Sequence, residues 1–180
     1  MYFIAIVLPD DLNKKVLKWK NFMHEKFRCK VGLKSPAHIT FIPPFWMHEE
    51  KEQRLTDDID AMSLSAQPFT ILTNNFAAFK LRTIYVDVVV NEKLKSLKAA
   101  IDKFFSETDY KIKTESRPFH PHITIATRDL HKKDFHEAWT FFETKKFKAE
   151  WEGNTLSVLK HNSKNWEVIH TSWFKKVTIK

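Results

Sequence analysis

The chain has 180 residues, 43% of them hydrophobic, and a formal net charge of +8; this is enough for one ordered domain, or two lobes sharing a core, and excludes a long disordered tail. Gly32 and Gly153 are the only glycines and neither lies in a glycine-rich run, which excludes a P-loop or a Rossmann phosphate turn. Cys29 is the only cysteine, which excludes an internal disulfide and a cysteine-built zinc site and fits a reducing, cytoplasmic setting.

The apolar run Tyr2 to Leu8 is too short to cross a membrane and lacks the basic start and cleavage site of a signal peptide, so it reads as a first strand. Pro9-Asp10-Asp11 opens a helix, along which Val16, Trp19, Met23 and Phe27 recur at helical spacing with lysines between them; Arg28 to Gly32 marks its end. Ser35-Pro36 leads into a short strand, His38 to Ile42, which Pro43-Pro44 should terminate because neither proline has an N–H for a sheet ladder. Glu49 to Met62 is a charged helix with Leu55, Ile59 and Met62 on one side, and Phe69 to Thr73 is extended. The order then starts again. Thr83 to Val90 is a β-branched strand, Asn91 is the N-cap of a helix carrying Leu94, Leu97, Ile101, Phe104 and Phe105, and His122 to Ala126 is a second short strand. A helix with Phe135, Trp139 and Phe142 follows, then strands near Phe147 to Trp151 and Thr155 to Lys160. A closing hairpin arm, Trp166 to Ser172, crosses the loop His161 to Asn165, and Val177 to Ile179 is a last short strand. We expect a single domain, 1–180, built from two pseudo-repeats, about 1–75 and 82–172.

The repeat carries a tripeptide. His38-Ile39-Thr40 and His122-Ile123-Thr124 stand 84 residues apart at matching places in the two halves. On a strand, residues i and i+2 share a face, so each histidine stands beside its threonine while the isoleucine turns into the core. Two such strands facing each other supply a base for a nucleophile, an acid for a leaving oxygen and hydroxyl donors for nonbridging phosphate oxygens, which is what phosphoryl transfer asks for. Histidine fits both proton-transfer roles because its ordinary pKa of about 6.5 allows one copy to be neutral and the other charged. No carboxylate cluster invites a metal, so no cofactor is expected. The looser pattern His-x-Ser/Thr recurs at His161 and His170, where a structural role is the better reading, and His120 shares a strand face with His122 as an orienting residue.

The pair His38-Ile39-Thr40-Phe41 and Phe119-His120-Pro121-His122-Ile123-Thr124-Ile125-Ala126 resembles the two signature motifs of the two-histidine (2H) phosphoesterases, in particular the LigT-like branch of bacterial RNA 2′,3′-cyclic phosphodiesterases, also called 2′-5′ RNA ligases. That resemblance implies a bilobal α+β fold, two pseudo-twofold-related lobes of sheet and helix around a central groove, and cofactor-free hydrolysis of a cyclic phosphate. It implies that His122 activates water, that His38 protonates the departing ribose oxygen, and that Thr40 and Thr124 hold the phosphate. The order reverses for ligation. Two departures from the branch are visible: Thr127 intervenes before the basic Arg128, and the first motif runs into Ile42-Pro43-Pro44-Phe45.

Around the motifs, Phe45, Trp46 and Phe119 are candidates to stack on a base, Arg82 and Arg117 to contact phosphate, and His120 to touch substrate; packing between lobes is the better reading of the aromatics, and either arginine also suits a surface charge. Of the 30 basic residues 25 are lysines, a spread of point charges suited to attracting a polyanion. The same charge also suits a solvated lysine-rich surface; it is the resemblance that implies an RNA end or nucleotide cyclic phosphate as partner, and a monomer acting without metal or membrane is expected. A nucleotide-binding module without turnover and a phosphodiesterase for another cyclic nucleotide remain open alternatives.

Overall fold

The computed structural model describes residues 1–79, 81–112 and 117–175; the strand expected at Val177 to Ile179 lies outside the described residues. In chain order the elements are β1 (Tyr2–Val7), α1 (Asp10–Phe27), β2 (His38–Phe45), α2 (Glu52–Ser65), β3 (Phe69–Phe79), β4 (Thr83–Val88), α3 (Glu92–Ser106), β5 (His122–Ala126), α4 (Lys132–Phe142), β6 (Glu150–Gly153), β7 (Thr155–His161) and β8 (Trp166–Trp173). Asn91 caps α3 as its residue type predicts, its side chain accepting from the Leu94 N–H at 2.9 Å. A short 3₁₀ turn, Val31–Lys34, follows α1 and was not anticipated from the residue pattern.

The strands form two four-stranded antiparallel sheets, ordered β2-β1-β7-β8 and β5-β4-β3-β6. Strand β2 runs through both prolines to Phe45, which lies opposite Tyr2. The stop expected at Pro43 fails because β2 is an outer strand, where a missing N–H leaves no ladder partner unsatisfied.

The two chain halves interleave. β3 joins the second sheet between β4 and β6, while β7 and β8 return to complete the first sheet against β1. Helices cross as well: α1 packs on β5 and α4, α3 packs on β2, α2 covers β7 and β8, and α4 covers β3. The apolar stripe of α1 explains its place, since Leu12, Val16, Met23 and Phe27 are buried, and Trp19 lies edge-on to Phe76 of β3 at 5.4 Å and to Phe142 of α4 at 5.7 Å. One continuous core collects Tyr2, Ile4 and Ile6 from β1 with Ile84, Val86 and Val88 from β4. The other face of the first sheet carries a smaller cluster, Phe3, Ala5 and Leu159, with Trp166 packed against it. Among the described residues no helix is long and apolar enough to cross a membrane.

Candidate active site

The His-Ile-Thr strands β2 and β5 are the outer strands of their sheets and lie against each other. Each is held in the same register by its inner neighbour. On β2, His38, Ile39 and Thr40 face Val7, Ile6 and Ala5; on β5, His122, Ile123 and Thr124 face Asp87, Val86 and Tyr85. In both pairs the register slips immediately after the threonine, so that Phe41 and Ile125 are the extra residues of two equivalent bulges. The burial pattern agrees: histidine and threonine are largely but not wholly buried, and the isoleucine between them is fully buried. A bulge sharpens the local twist and leaves a carbonyl without its ladder partner. On β2 that carbonyl, of Phe41, accepts from Lys98 Nζ of α3 at 2.8 Å, and Lys98 is itself paired with Asp102.

Both imidazoles are oriented in the same way. Nδ1 of His38 lies 2.7 Å from the carbonyl oxygen of Pro36, and Nδ1 of His122 lies 2.7 Å from that of His120. A carbonyl only accepts, so each Nδ1 carries the proton and each neutral ring turns an unprotonated Nε2 outward. The His120 side chain in turn meets Asp87 Oδ1 at 3.1 Å and the Tyr85 hydroxyl at 3.3 Å, which anchors the segment whose carbonyl fixes His122. His120 is thereby placed to orient its neighbour.

Desolvation is the main force on both rings. It pushes His38 from its ordinary 6.5 down to about 4, against the Pro36 hydrogen bond, and the charges of Lys20 and His122 add to the lowering. His122 is lowered by burial and by His120, while its hydrogen bond to the His120 carbonyl and the Asp87 carboxylate oppose the fall. In the free protein near neutral pH both rings are neutral. The linkage for His38 has a definite sign: the unfolded chain takes up a proton near 6.5 and the folded one only near 4, so folding stability falls as pH drops through that window. The loss approaches about 3 kcal/mol below the window. His38→Gln is expected to flatten this dependence, read as a smaller difference between urea midpoints at about pH 7.5 and about pH 5. An unchanged difference would contradict the burial of His38.

His38, Thr40 and Thr124 line a common cleft of about 420 Å³, within the range of small-ligand sites. His122 is two residues from Thr124 on the same strand face, and its charge reaches His38. The cleft has two characters. One end is polar, formed by the two threonines, Ser35, Thr127 and Arg128; the other is aromatic, formed by Phe3, His161 and Trp166. Phe3 lies 4.7 Å from the His38 ring and 4.7 Å from Trp166, and Trp166 lies 4.9 Å from His161, an unbroken aromatic wall leading away from His38. Among the described residues no group of three or more His, Cys, Asp or Glu side chains is placed to hold a metal ion.

A sequence-family model for the 2′-5′ RNA ligase superfamily matches residues 8–165. The chain belongs to the 2′-5′ RNA ligase superfamily. Solved structures agree on the fold of this superfamily member. TT0787 of Thermus thermophilus superposes with a TM-score of 0.68 at 15% identity over 98% of both chains. LigT of E. coli in complex with 3′-AMP gives 0.68 at 16% identity over 97% of both, and LigT with ATP gives 0.66 at 14% identity, again over 97% of both. No curated protein sequence matches the chain. The α+β, two-sheet architecture that the motifs implied is therefore that of the superfamily.

The flanking candidates are dispersed around this superfamily site. Phe45 is buried, with its ring 6.2 Å from Tyr2 and 6.5 Å from Tyr110. Trp46 is 76% exposed and borders a different hollow, with Tyr2 and His48. Phe119 packs on Phe41 at 5.5 Å, with Lys98 above its ring. Arg82 and Arg117 are exposed, on the turn before β4 and the bend before Pro118. The cleft instead recruits residues that the motifs did not single out. His161 is the last residue of β7, not part of a turn, and Trp166 starts β8; their place depends on β7 and β8 returning to β1, a long-range pairing with no local signal. Arg128 reaches the cleft from a backbone with φ of 24°, the turn that accommodates the extra Thr127.

Proposed function

We propose that this protein is a cyclic phosphodiesterase that opens a 2′,3′-cyclic phosphate at an RNA end or on a nucleotide, by paired-histidine acid–base catalysis without a metal. The observation that carries the proposal is the matched pair of edge strands lying against each other, each carrying one imidazole with Nδ1 tied to a carbonyl and one threonine on the same strand face, with His38, Thr40 and Thr124 lining one cleft and His122 next to Thr124 on β5. The equivalent registers and bulges of the two strand pairs also support reading residues 1–180 as one domain built from two pseudo-repeats.

In this scheme Thr40, Thr124 and Arg128 take the nonbridging phosphate oxygens. Water attacks phosphorus along the line of the departing ribose oxygen: the new P–O bond forms as the ring P–O bond breaks. One histidine Nε2 accepts the water proton and the other, protonated, delivers its proton to the ribose oxygen. Both rings start neutral, so the negative charge of the bound phosphate must restore one proton to the pair, and substrate binding takes up a proton. The resemblance makes His122 the base and His38 the acid. The deeper desolvation of His38, with the Lys20 charge beside it, favours the opposite order, with His38 as the neutral base. A nitrophenyl phosphodiester separates these readings, because its leaving group needs no proton: it rescues the variant lacking the acid and not the variant lacking the base.

The aromatic end of the cleft supports a nucleotide rather than a bare phosphate, with the base on Trp166. Trp166→Ala is expected to raise KM for a nucleotide cyclic phosphate about ten-fold or more, in line with the loss of one base stack, and to leave inorganic phosphate affinity unchanged. Equal KM values for parent and variant would remove the base from Trp166.

The direct test is hydrolysis of a short RNA ending in a 2′,3′-cyclic phosphate, in EDTA, across about pH 5 to 9, with the 2′- and 3′-phosphate products resolved. Turnover with a bell-shaped profile supports the proposal. Tight binding without turnover moves the protein to a nucleotide-binding module, and a requirement for added metal overturns the mechanism.

A further inference from the structure

Lys20 occupies a place where a lysine is costly. It sits on the apolar stripe of α1, four residues after Val16 and three before Met23, and is 3% exposed. Its ammonium donates to the Ser35 carbonyl oxygen at 3.0 Å, and among the described residues no carboxylate forms an ion pair with it. Burial, with no opposing charge, brings its pKa from 10.5 down to about 8. A buried, uncompensated ammonium costs folding free energy, and a methionine of similar shape would not.

The position of this charge gives it a use. Ser35, the acceptor of its hydrogen bond, lines the cleft beside His38 and Thr40, and Gly32, another cleft residue, lies over the Lys20 stem. The charge of Lys20 is felt by His38 on β2; His38 also feels His122 on β5, and His122 feels His120 and Asp87. Lys20 therefore stands behind the wall of the phosphate end of the cleft and cannot reach the ligand directly.

We infer that Lys20 is a positioning residue of the site, a buried cation whose missing counter-charge is the phosphate group bound in the cleft. This rests on the phosphate reading of the cleft and not on turnover. A fixed charge behind the wall attracts an anion without competing for its hydrogen bonds, and it keeps His38 unprotonated until that anion arrives. The low-dielectric setting magnifies both effects.

The test uses the whole protein, inorganic phosphate as probe, and the variants Lys20→Met and Lys20→Gln; the second retains an N–H for Ser35 if the first fails to fold. Without phosphate, Lys20→Met is expected to melt at or above the parent temperature. Its phosphate affinity, by calorimetry, should fall roughly ten-fold, the worth of one partly shielded unit charge. The His38 ring, followed by NMR, should titrate at higher pH than in the parent. If instead the variants melt lower, bind phosphate as the parent does and leave the His38 titration in place, Lys20 serves only to fasten α1 to Ser35. A parent that fails to bind phosphate overturns the phosphate reading of the cleft along with this inference, whereas a parent that binds it and variants that bind it equally overturn the inference alone.

Discussion

Substituting alanine for either His38 or His122 is expected to lower kcat for a 2′,3′-cyclic phosphate by roughly 10²- to 10⁴-fold, with KM changed far less. The reason lies in the shared geometry: each Nδ1 is committed to a backbone carbonyl, which leaves Nε2 as the ring nitrogen that exchanges a proton. The two losses should not add. An acid and a base that serve one transition state work as a unit, and the double variant is expected to be about as slow as the worse single one. Steady-state rates of the three variants check this, with melting curves to establish folding. Losses that multiplied fully would mean that the two histidines act in separate steps, and near-parental rates would remove them from the chemistry.

The second large effect is expected at a glycine outside both motifs. A Cβ at Gly32 would lie 2.4 Å from the carbonyl oxygen of Ile125, the bulge residue next to Thr124. Backbone cannot retreat as a flexible side chain can, so Gly32→Ala must push the Val31–Lys34 turn off β5. Overpacking of this kind costs about 1–3 kcal/mol. The displacement should also disturb the cleft, because the turn carries Lys34 and leads into Ser35 and His38. Urea unfolding and turnover measured together test this: a stable protein with reduced activity would show that the turn moves without unfolding, and an unaffected protein would show that the close approach is not maintained in solution. Gly153 provides the contrast. Its added Cβ would meet Ile71 Cδ1, the end of a flexible side chain, at the same 2.4 Å, and a much smaller effect is expected.

The contrast between these predictions reflects what was legible in the amino-acid order. The His-Ile-Thr strands could be read because a two-residue period and a repeated tripeptide are local signals, and His122 to Ala126 is a strand with those bounds in the structure. The Asn91 cap could be read for the same reason. The extension of β2 through Pro43 and Pro44 could not, since a proline ends a strand only if the strand is interior, and edge position is a property of the assembled sheet. Lys20 was hidden by its type. The positions Leu12, Val16, Lys20, Met23 and Phe27 form one helical stripe, and the spacing alone would have placed the lysine inside, but a lysine among many others reads as solvated. Trp166 and His161 reach the cleft through strands that return from the far end of the chain, which no local pattern announces.

The interleaving of the two halves also governs how the chain must mature. During synthesis β1 and β2 emerge early, yet the third strand of their sheet is β7, where Ser157 finally pairs with Ala5. The stripe of α1 meets its floor, β5, only after the middle of the chain has been made, and β3 likewise waits for β4 and β6. A nascent N-terminal half therefore exposes an unpaired sheet edge and an apolar helix face that no local contact can cover. Its closure depends on contacts of long sequence separation, which are slow to form. The cleft between β2 and β5 is thus finished among the last parts of the molecule, and a ribosome-stalled fragment ending before β5 carries the first histidine without its counterpart strand.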